Sequence, residues 1–196
     1  RLRVSARATA GRLDLRLAGM LDPSAWRWEG RLESLVLAAG EGPPWSLSAP
    51  AALRLTPGGG ALEQACLVSR EARACVTADR DASGLRVGAS VVSLPLARLP
   101  APAADVIRLD GRLDGEGDLS LPAEGAPGGH VRVTGGTIRV LGRPAGPGTG
   151  LLELADLDDL VLDARADDEG VRGRLRAEPA DGGRLDLAAA LPGYRL

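Results

Sequence analysis

The chain has 196 residues, with 24 basic side chains against 26 Asp and Glu, so its formal net charge is -2. All the basic residues are arginines interspersed with the acidic ones, which leaves neither the basic surface typical of nucleic-acid binding nor a polybasic membrane-binding segment. No apolar run approaches the roughly 18 residues that a transmembrane helix needs.

The apolar residues are mostly small. Hydrophobic residues make up 44% of the chain, but aromatic residues only 2%, and phenylalanine is absent. Because aromatic side chains supply much of the buried area of a compact core, a core of Leu, Val and Ala alone fills poorly. We therefore expect a thin structure in which the chain covers only part of the apolar face of a sheet.

Alternation of apolar and polar residues, the pattern of a strand with one buried face, runs through most of the chain. Leu13, Leu15 and Leu17 alternate with Arg and Asp near the start, and Leu185 and Leu187 do so near the end. Short turns rich in Gly and Asp separate the runs, as hairpins require. Short connections make neighbouring strands antiparallel. The sequence predicts an all-β antiparallel meander of about a dozen strands.

The tryptophans and cysteines lie between residues 26 and 75. Trp26 and Trp28 share their parity with Leu32, which predicts that they pack in the core. Cys66 ends one strand-like run and Cys75 begins another, so a disulfide across the intervening loop is favoured over two free thiols. A disulfide would imply an oxidising compartment.

One segment interrupts the alternation. Residues 94–99 fit a single helical turn, with Ser93 as its N-cap and a proline in its first turn. We therefore divide the chain into a β segment at 1–92, a short helical turn and linker at 93–106, and a second β segment at 107–196.

The sequence offers no catalytic motif. There is no lysine for a phosphate-binding loop, no GxSxG and no HExxH. The only histidine, His130, cannot complete a zinc site, which needs about four ligands, and we expect it at an exposed or edge position. The acidic residues at 156–169 lack calcium-loop spacing and fit a solvated face better. We predict no enzyme, no metal and no cofactor.

Residues 10–121 resemble the TamB family, AsmA-like subunits of the translocation and assembly module. The resemblance rests on the order and spacing of Trp28-Glu-Gly30-Arg-Leu32, Trp45-Ser-Leu47, the pair Cys66 and Cys75, and Ile107-Arg-Leu-Asp-Gly-Arg-Leu113. The later third is similar only in style.

The resemblance implies a very long antiparallel sheet curled into an open groove, or β-taco, so the two β segments are expected to form one continuous groove. It implies a periplasmic protein, anchored in the inner membrane when full-length, that carries phospholipid acyl chains between the inner and outer membranes and supports outer-membrane biogenesis. An outer-membrane barrel of the TamA or BamA type would be its partner. This chain would then be an internal fragment.

If the apolar parity lines such a groove, nine residues are candidates for contact with lipid. They are Leu13, Leu15, Leu17, Leu109, Leu113, Val131, Val133, Leu185 and Leu187. The rival hypothesis is a structural or chaperone-like scaffold, in which an exposed sheet edge binds outer-membrane protein clients by β-augmentation.

Overall fold

The computed structural model describes residues 2–8, 11–39, 42–98, 107–142 and 151–193. These residues form fifteen strands in one sheet and a single turn of 3₁₀ helix at Leu96–Arg98. The strands are β1 (Leu2–Ala8), β2 (Gly11–Asp22), β3 (Arg27–Ala39), β4 (Trp45–Leu47), β5 (Ala51–Thr56), β6 (Gly59–Ser69), β7 (Ala72–Asp81), β8 (Gly84–Pro95), β9 (Ile107–Asp110), β10 (Arg112–Pro122), β11 (Gly128–Gly135), β12 (Ile138–Gly142), β13 (Leu152–Asp167), β14 (Gly170–Pro179) and β15 (Leu185–Pro192).

All the strand pairings in the described part of the chain are antiparallel, and β9 pairs with β12 rather than with a strand next to it in the sequence. Three pairs of strands lie end to end: β4 with β5 between β3 and β6, β9 with β10, and β11 with β12 along β13. The fifteen strands therefore occupy twelve positions across the sheet. The predicted all-β antiparallel meander is confirmed.

Bulges keep the apolar residues on one side where the sequence parity changes. In β3, Leu32 and Leu35 lie on the same side of the sheet although they are three residues apart. The pairing with β2 shifts by one residue between them. In β6 the same holds for Leu62 and Ala65, again across a shift in pairing with β7. Because a slip of one residue turns every side chain to the opposite face, each extra residue restores the alignment that the sequence would otherwise lose.

The sheet is open. Within the described ranges, substantial contacts between strands join only hydrogen-bonded neighbours, so no second layer packs on the sheet. The accessible surface is 13272 Å², against about 8,700 Å² for a compact monomer of 20.1 kDa. The best-packed cluster lies on β3, β5 and β6, where Leu32, Ala51 and Ala65 are buried among half-buried leucines.

The helical turn is shorter than predicted. Leu94 and Pro95 continue β8, and only Leu96–Arg98 is helical, while residues 99–106 of the predicted linker lie outside the described residues. Ser93 is not a helix cap. It lies in β8 with a φ of 55°, and its backbone N–H donates to the Asp114 carboxylate at 2.6 Å. Pairing with β10 therefore extends the strand through the predicted cap.

The prediction for Trp26 is wrong. Trp26 occupies the turn between β2 and β3 with a φ of 48°, and its side chain is 73% exposed. The parity that links it to Trp28 does not apply, because the strand begins only at Arg27. Trp28 itself is half-buried.

Among the described residues, no helix is long and apolar enough to span a membrane.

Candidate functional site

Strand register defines one apolar face. Residues directly opposite each other in an antiparallel pair project to the same side of the sheet. One row across the strands from β6 to β15 reads Ala65, Val76, Ala89, Gly117, Val131, Ala164, Gly173 and Ala189. The adjacent row reads Leu67, Ala74, Val91, Gly115, Val133, Leu162, Leu175 and Leu187. We call the side that carries these rows the apolar face.

A cleft of about 460 Å³ lies in the middle of this face, across β6, β7, β8, β10 and β11. Two glycines of β10 form part of its floor. A Cβ added at Gly115 would stand 3.3 Å from Val91 Cγ1, and one added at Gly117 would stand 3.1 Å from Val131 Cγ2. The glycines thus leave room between the valines that a larger side chain would fill.

The opposite side is polar. Its central row reads Cys66, Cys75, Ser90, Glu116, Arg132, Asp163, Arg174 and Ala188, with opposite charges on neighbouring strands. The side chain of His130 also lies here, with Nε2 at 3.2 Å from the Asp163 carboxylate. We call this side the polar face.

A disulfide joins Cys66 in β6 to Cys75 in β7 on the polar face. The two residues are direct cross-strand partners, with a Cα–Cα distance of 4.0 Å. Cys66 lies three residues before the end of β6 rather than at its end, because the hairpin turn falls at Arg70 and Glu71. The bond therefore links residues within the two strands, and not the residues that flank the turn.

Arginines depress the pKa of two carboxyl groups on the polar face. Arg172 donates a hydrogen bond to Asp167 at 2.6 Å, which holds the pKa of that carboxyl below its usual range and raises the pKa of the guanidinium. Arg174 does the same for Asp186, with an Nε–Oδ1 distance of 2.8 Å, and lowers its pKa. The two arginine side chains are more than half exposed and the two carboxylates are partly covered, so these are surface ion pairs and not a reactive site.

Aspartates with a lowered pKa also lie in two hairpin turns. Ser24 donates both its hydroxyl and its backbone N–H to Asp22, and Ser83 does so to Asp81. These hydrogen bonds lower the pKa of both aspartates. The aspartates fix the turns β2–β3 and β7–β8 by local side-chain capping.

A family model described as TamB, N-terminal domain, matches residues 1–195. The chain belongs to the TamB family. No curated protein and no solved structure matches it. The TamB family is a non-enzymatic transport and assembly family of the cell envelope, and it works within the translocation and assembly module. The resemblance drawn from residues 10–121 is thereby confirmed.

In this TamB-family chain, strand register places all nine predicted groove residues on the apolar face. The leucines of β2 pair with Leu37, Leu35 and Leu32 of β3. The others lie on β9, β10, β11 and β15, so the nine form separate groups along one surface rather than a single pocket. Val131 and Val133 line the central cleft. Val131 and Leu187 are 46% and 53% exposed.

The pairing of β9 with β12 places Leu109 on the apolar face. It pairs with Val140, which alternates with Ile138. The Ile138 side chain stands over Gly135, where an added Cβ would meet Ile138 Cδ1 at 2.8 Å and Leu113 Cδ2 at 2.9 Å. Leu109 and Leu113 therefore share the face although Gly111 separates their strands.

The small residues of the central cleft were not predicted from the sequence. Gly115, Gly117, Ala74 and Ala89 line it, yet an alternation of Gly and Ala with polar residues carries little hydrophobic signal. Their parity with Leu113 in β10, Val76 in β7 and Val87 in β8 was the available clue.

The acidic residues at 156–169 are spread along β13 and the turn that follows it. Among the residues that the structure describes, no three His, Cys, Asp or Glu side chains converge as metal ligands. Several of the acidic groups are engaged elsewhere: Asp158 accepts a hydrogen bond from the Thr137 hydroxyl at 2.7 Å, and Asp163 contacts His130.

Proposed function

We propose that this chain is a segment of a lipid conduit in the periplasm, whose apolar face carries phospholipid acyl chains between the inner and outer membranes. The observation that carries the proposal is the apolar face itself. It runs without interruption from β2 to β15, and no helix or second sheet in the described ranges covers it. Soluble monomers rarely expose large contiguous apolar surfaces without a binding role.

The acyl chains of a lipid can bury such an apolar face. Burying one CH₂ group is worth ~0.8 kcal/mol, so a sixteen-carbon chain gains on the order of 12 kcal/mol before its costs. A conduit must also let the lipid move on. The row from Ala65 to Ala189 holds only Ala, Val and Gly, so it offers apolar contact and no polar side chain that would hold the lipid in one place.

The direction of travel would be across the strands. The row from Ala65 to Ala189 crosses eight strands, which corresponds to about 34 Å at the usual strand spacing. On this proposal the segments 1–92 and 107–196 act as one continuous groove, since β8 pairs directly with β10. An outer-membrane barrel of the TamA or BamA type would receive the cargo.

A matched pair of substitutions in β7 tests the proposal. Val76 lines the central cleft, whereas its neighbour Thr77 lies on the polar face. We expect Val76→Asp to abolish phospholipid co-purification, measured by mass spectrometry of solvent extracts, because a charge in the lipid path costs several kcal/mol to desolvate. Thr77→Asp should retain the lipid. Equal lipid content in both variants, or none in the parent protein, would contradict the conduit.

A second candidate function is a scaffold that binds outer-membrane protein clients by β-augmentation. The observation that favours it is β15, which within the described ranges pairs only with β14 and carries one charged residue, Asp186. An edge strand with so few charges can accept another strand. The test is a crosslink between β15 and a peptide taken from a strand of a client protein. Crosslinking to a protein preparation that contains no phospholipid would favour this candidate.

A further inference from the structure

One charged residue lies on the apolar face. Among the described residues whose strand pairing places them on that face, only Arg80 is ionised. It stands opposite Gly60 in β6 and Leu85 in β8. The other arginines of the paired strands alternate to the polar face. A guanidinium in this position is an exception to the pattern that the whole sheet otherwise follows.

Arg80 borders a second cleft, of about 400 Å³, at the turn end of β5, β6, β7 and β8. Leu53, Leu55, Leu62 and Leu85 form the apolar part of its lining, and Arg80 is its only charged group. The cleft continues the apolar face toward the rim of the sheet. The Arg80 side chain is exposed there, so its charge stays hydrated while the leucines present an apolar surface beside it.

The local acidic residues do not neutralise Arg80. Asp79 and Asp81 have the opposite parity, and both pair with Arg86, at 3.7 and 3.4 Å. In the described part of the chain, Arg80 makes no ion pair with a carboxylate. A guanidinium with free donors beside an apolar cleft fits a ligand that joins an anion to a hydrocarbon.

We propose that Arg80 binds the phosphate ester of a phospholipid whose acyl chains lie on the apolar face. The planar guanidinium matches a phosphate with two parallel hydrogen bonds. The site at the rim keeps the headgroup in water while the chains enter between the leucines. The inference rests on the proposed function, and it adds an anionic headgroup contact to a face that otherwise selects only hydrocarbon.

Two lipids with the same chains test the site. Dihexanoyl phosphatidic acid carries the phosphate, dihexanoylglycerol lacks it, and inorganic phosphate lacks the chains. We expect Arg80→Gln to weaken binding of the phosphatidic acid about tenfold or more, since a charge-assisted hydrogen bond is lost. Binding of dihexanoylglycerol should not change. Arg54→Gln is the control, because Arg54 lies one row away on the polar face, opposite Glu29 and Ala61. It should bind both lipids as the parent does.

The outcomes separate the site from the conduit. If both lipids bind the parent but Arg80→Gln binds phosphatidic acid unchanged, the headgroup site is wrong and the conduit stands. If neither lipid binds the parent, the conduit fails and the site with it. Equal losses for both lipids would mean that Arg80 acts on the fold, and inorganic phosphate as tight as phosphatidic acid would mean a free-phosphate site. Either result overturns the proposal. Arg80→Lys keeps the charge but not the two parallel hydrogen bonds, so it should bind phosphatidic acid more weakly than the parent and more tightly than Arg80→Gln. Equal losses in the two variants, with an unchanged melting temperature, would also count against a phosphate contact.

Discussion

The indole of Trp28 in β3 lies across the backbone of Gly19 in β2. A Cβ built at Gly19 would stand 2.5 Å from Trp28 Cζ2 and 2.6 Å from the Glu29 carbonyl oxygen. Gly30, the cross-strand partner of Gly19, leaves the same kind of space under the ring. Because these two glycines have no side chains, the Trp28 indole can pack directly against the backbone at this end of the apolar face.

Gly19→Ala should therefore destabilise the protein. The added methyl group must displace either the indole or the neighbouring strand, and overpacking of this kind typically costs ~1–3 kcal/mol. Chemical denaturation followed by circular dichroism measures the loss. The control is Gly136→Ala, because nothing lies within 4 Å of the Cβ position at Gly136, and it should stay within about 0.5 kcal/mol of the parent. An equal loss in both variants would remove the Trp28 contact as the cause.

The disulfide between Cys66 and Cys75 should form in protein taken from an oxidising compartment. Closing a loop of this size is expected to stabilise the fold by ~2.5–3 kcal/mol on the loop-entropy model. Denaturation with and without reductant measures the difference, and a Cys66→Ser, Cys75→Ser variant should show none. The expectation fails if an alkylating agent modifies both thiols in native, unreduced protein.

Acid should weaken the fold below about pH 4, near the ordinary pKa of aspartate. The folded protein holds the pKa of Asp22, Asp81, Asp167 and Asp186 below that value. A depressed folded pKa adds stability above the unfolded pKa, and this stability is lost as the pH falls through the folded pKa. The melting temperature should be level at neutral pH and decline in this acid range at fixed ionic strength.

The ion pair of Arg174 with Asp186 allows that cause to be isolated. Asp186→Asn removes the titrating carboxyl group, and Arg174→Gln removes the guanidinium whose hydrogen bond lowers the pKa of Asp186. Each variant should show a smaller acid decline than the parent, and the double variant should add little to either. Declines equal to that of the parent would assign the acid sensitivity to other carboxyl groups.

Solution scattering should show an extended molecule. A compact globule of this length has a radius of gyration of ~16 Å. Twelve strand positions at the usual spacing extend over ~53 Å in one direction. We expect a clearly larger radius of gyration than the compact value, whereas a profile that fits a compact sphere would contradict the open sheet.

Much of the fold was predictable because a period of two is a strong local signal. Leu13, Leu15 and Leu17 alternate with charged residues, and the sheet keeps that parity by bulges wherever the sequence changes it. The prediction for Trp26 failed because parity was extended past the end of a strand into a turn. The prediction for Ser93 failed because local capping competed with a long-range partner, Asp114.

The clefts were less predictable than the strands. Gly115 and Gly117 shape the central cleft through the side chains that they lack, and a missing side chain leaves no hydrophobic pattern. Arg80 is one of many arginines in the sequence, and only its pairing with Gly60 and Leu85 sets it apart from them. Such features depend on which strands become neighbours in the sheet, and a single stretch of sequence does not show this.

The most direct test compares the two faces at adjacent positions of one strand. Val131 on the apolar face and Arg132 on the polar face are both exposed in β11. A photo-crosslinking amino acid at each position, in protein mixed with radiolabelled phospholipid, reports which face meets lipid. We expect a strong lipid adduct from position 131 and little or none from position 132. Equal adducts from both positions, or none from either, would contradict the claim that the apolar face carries lipid.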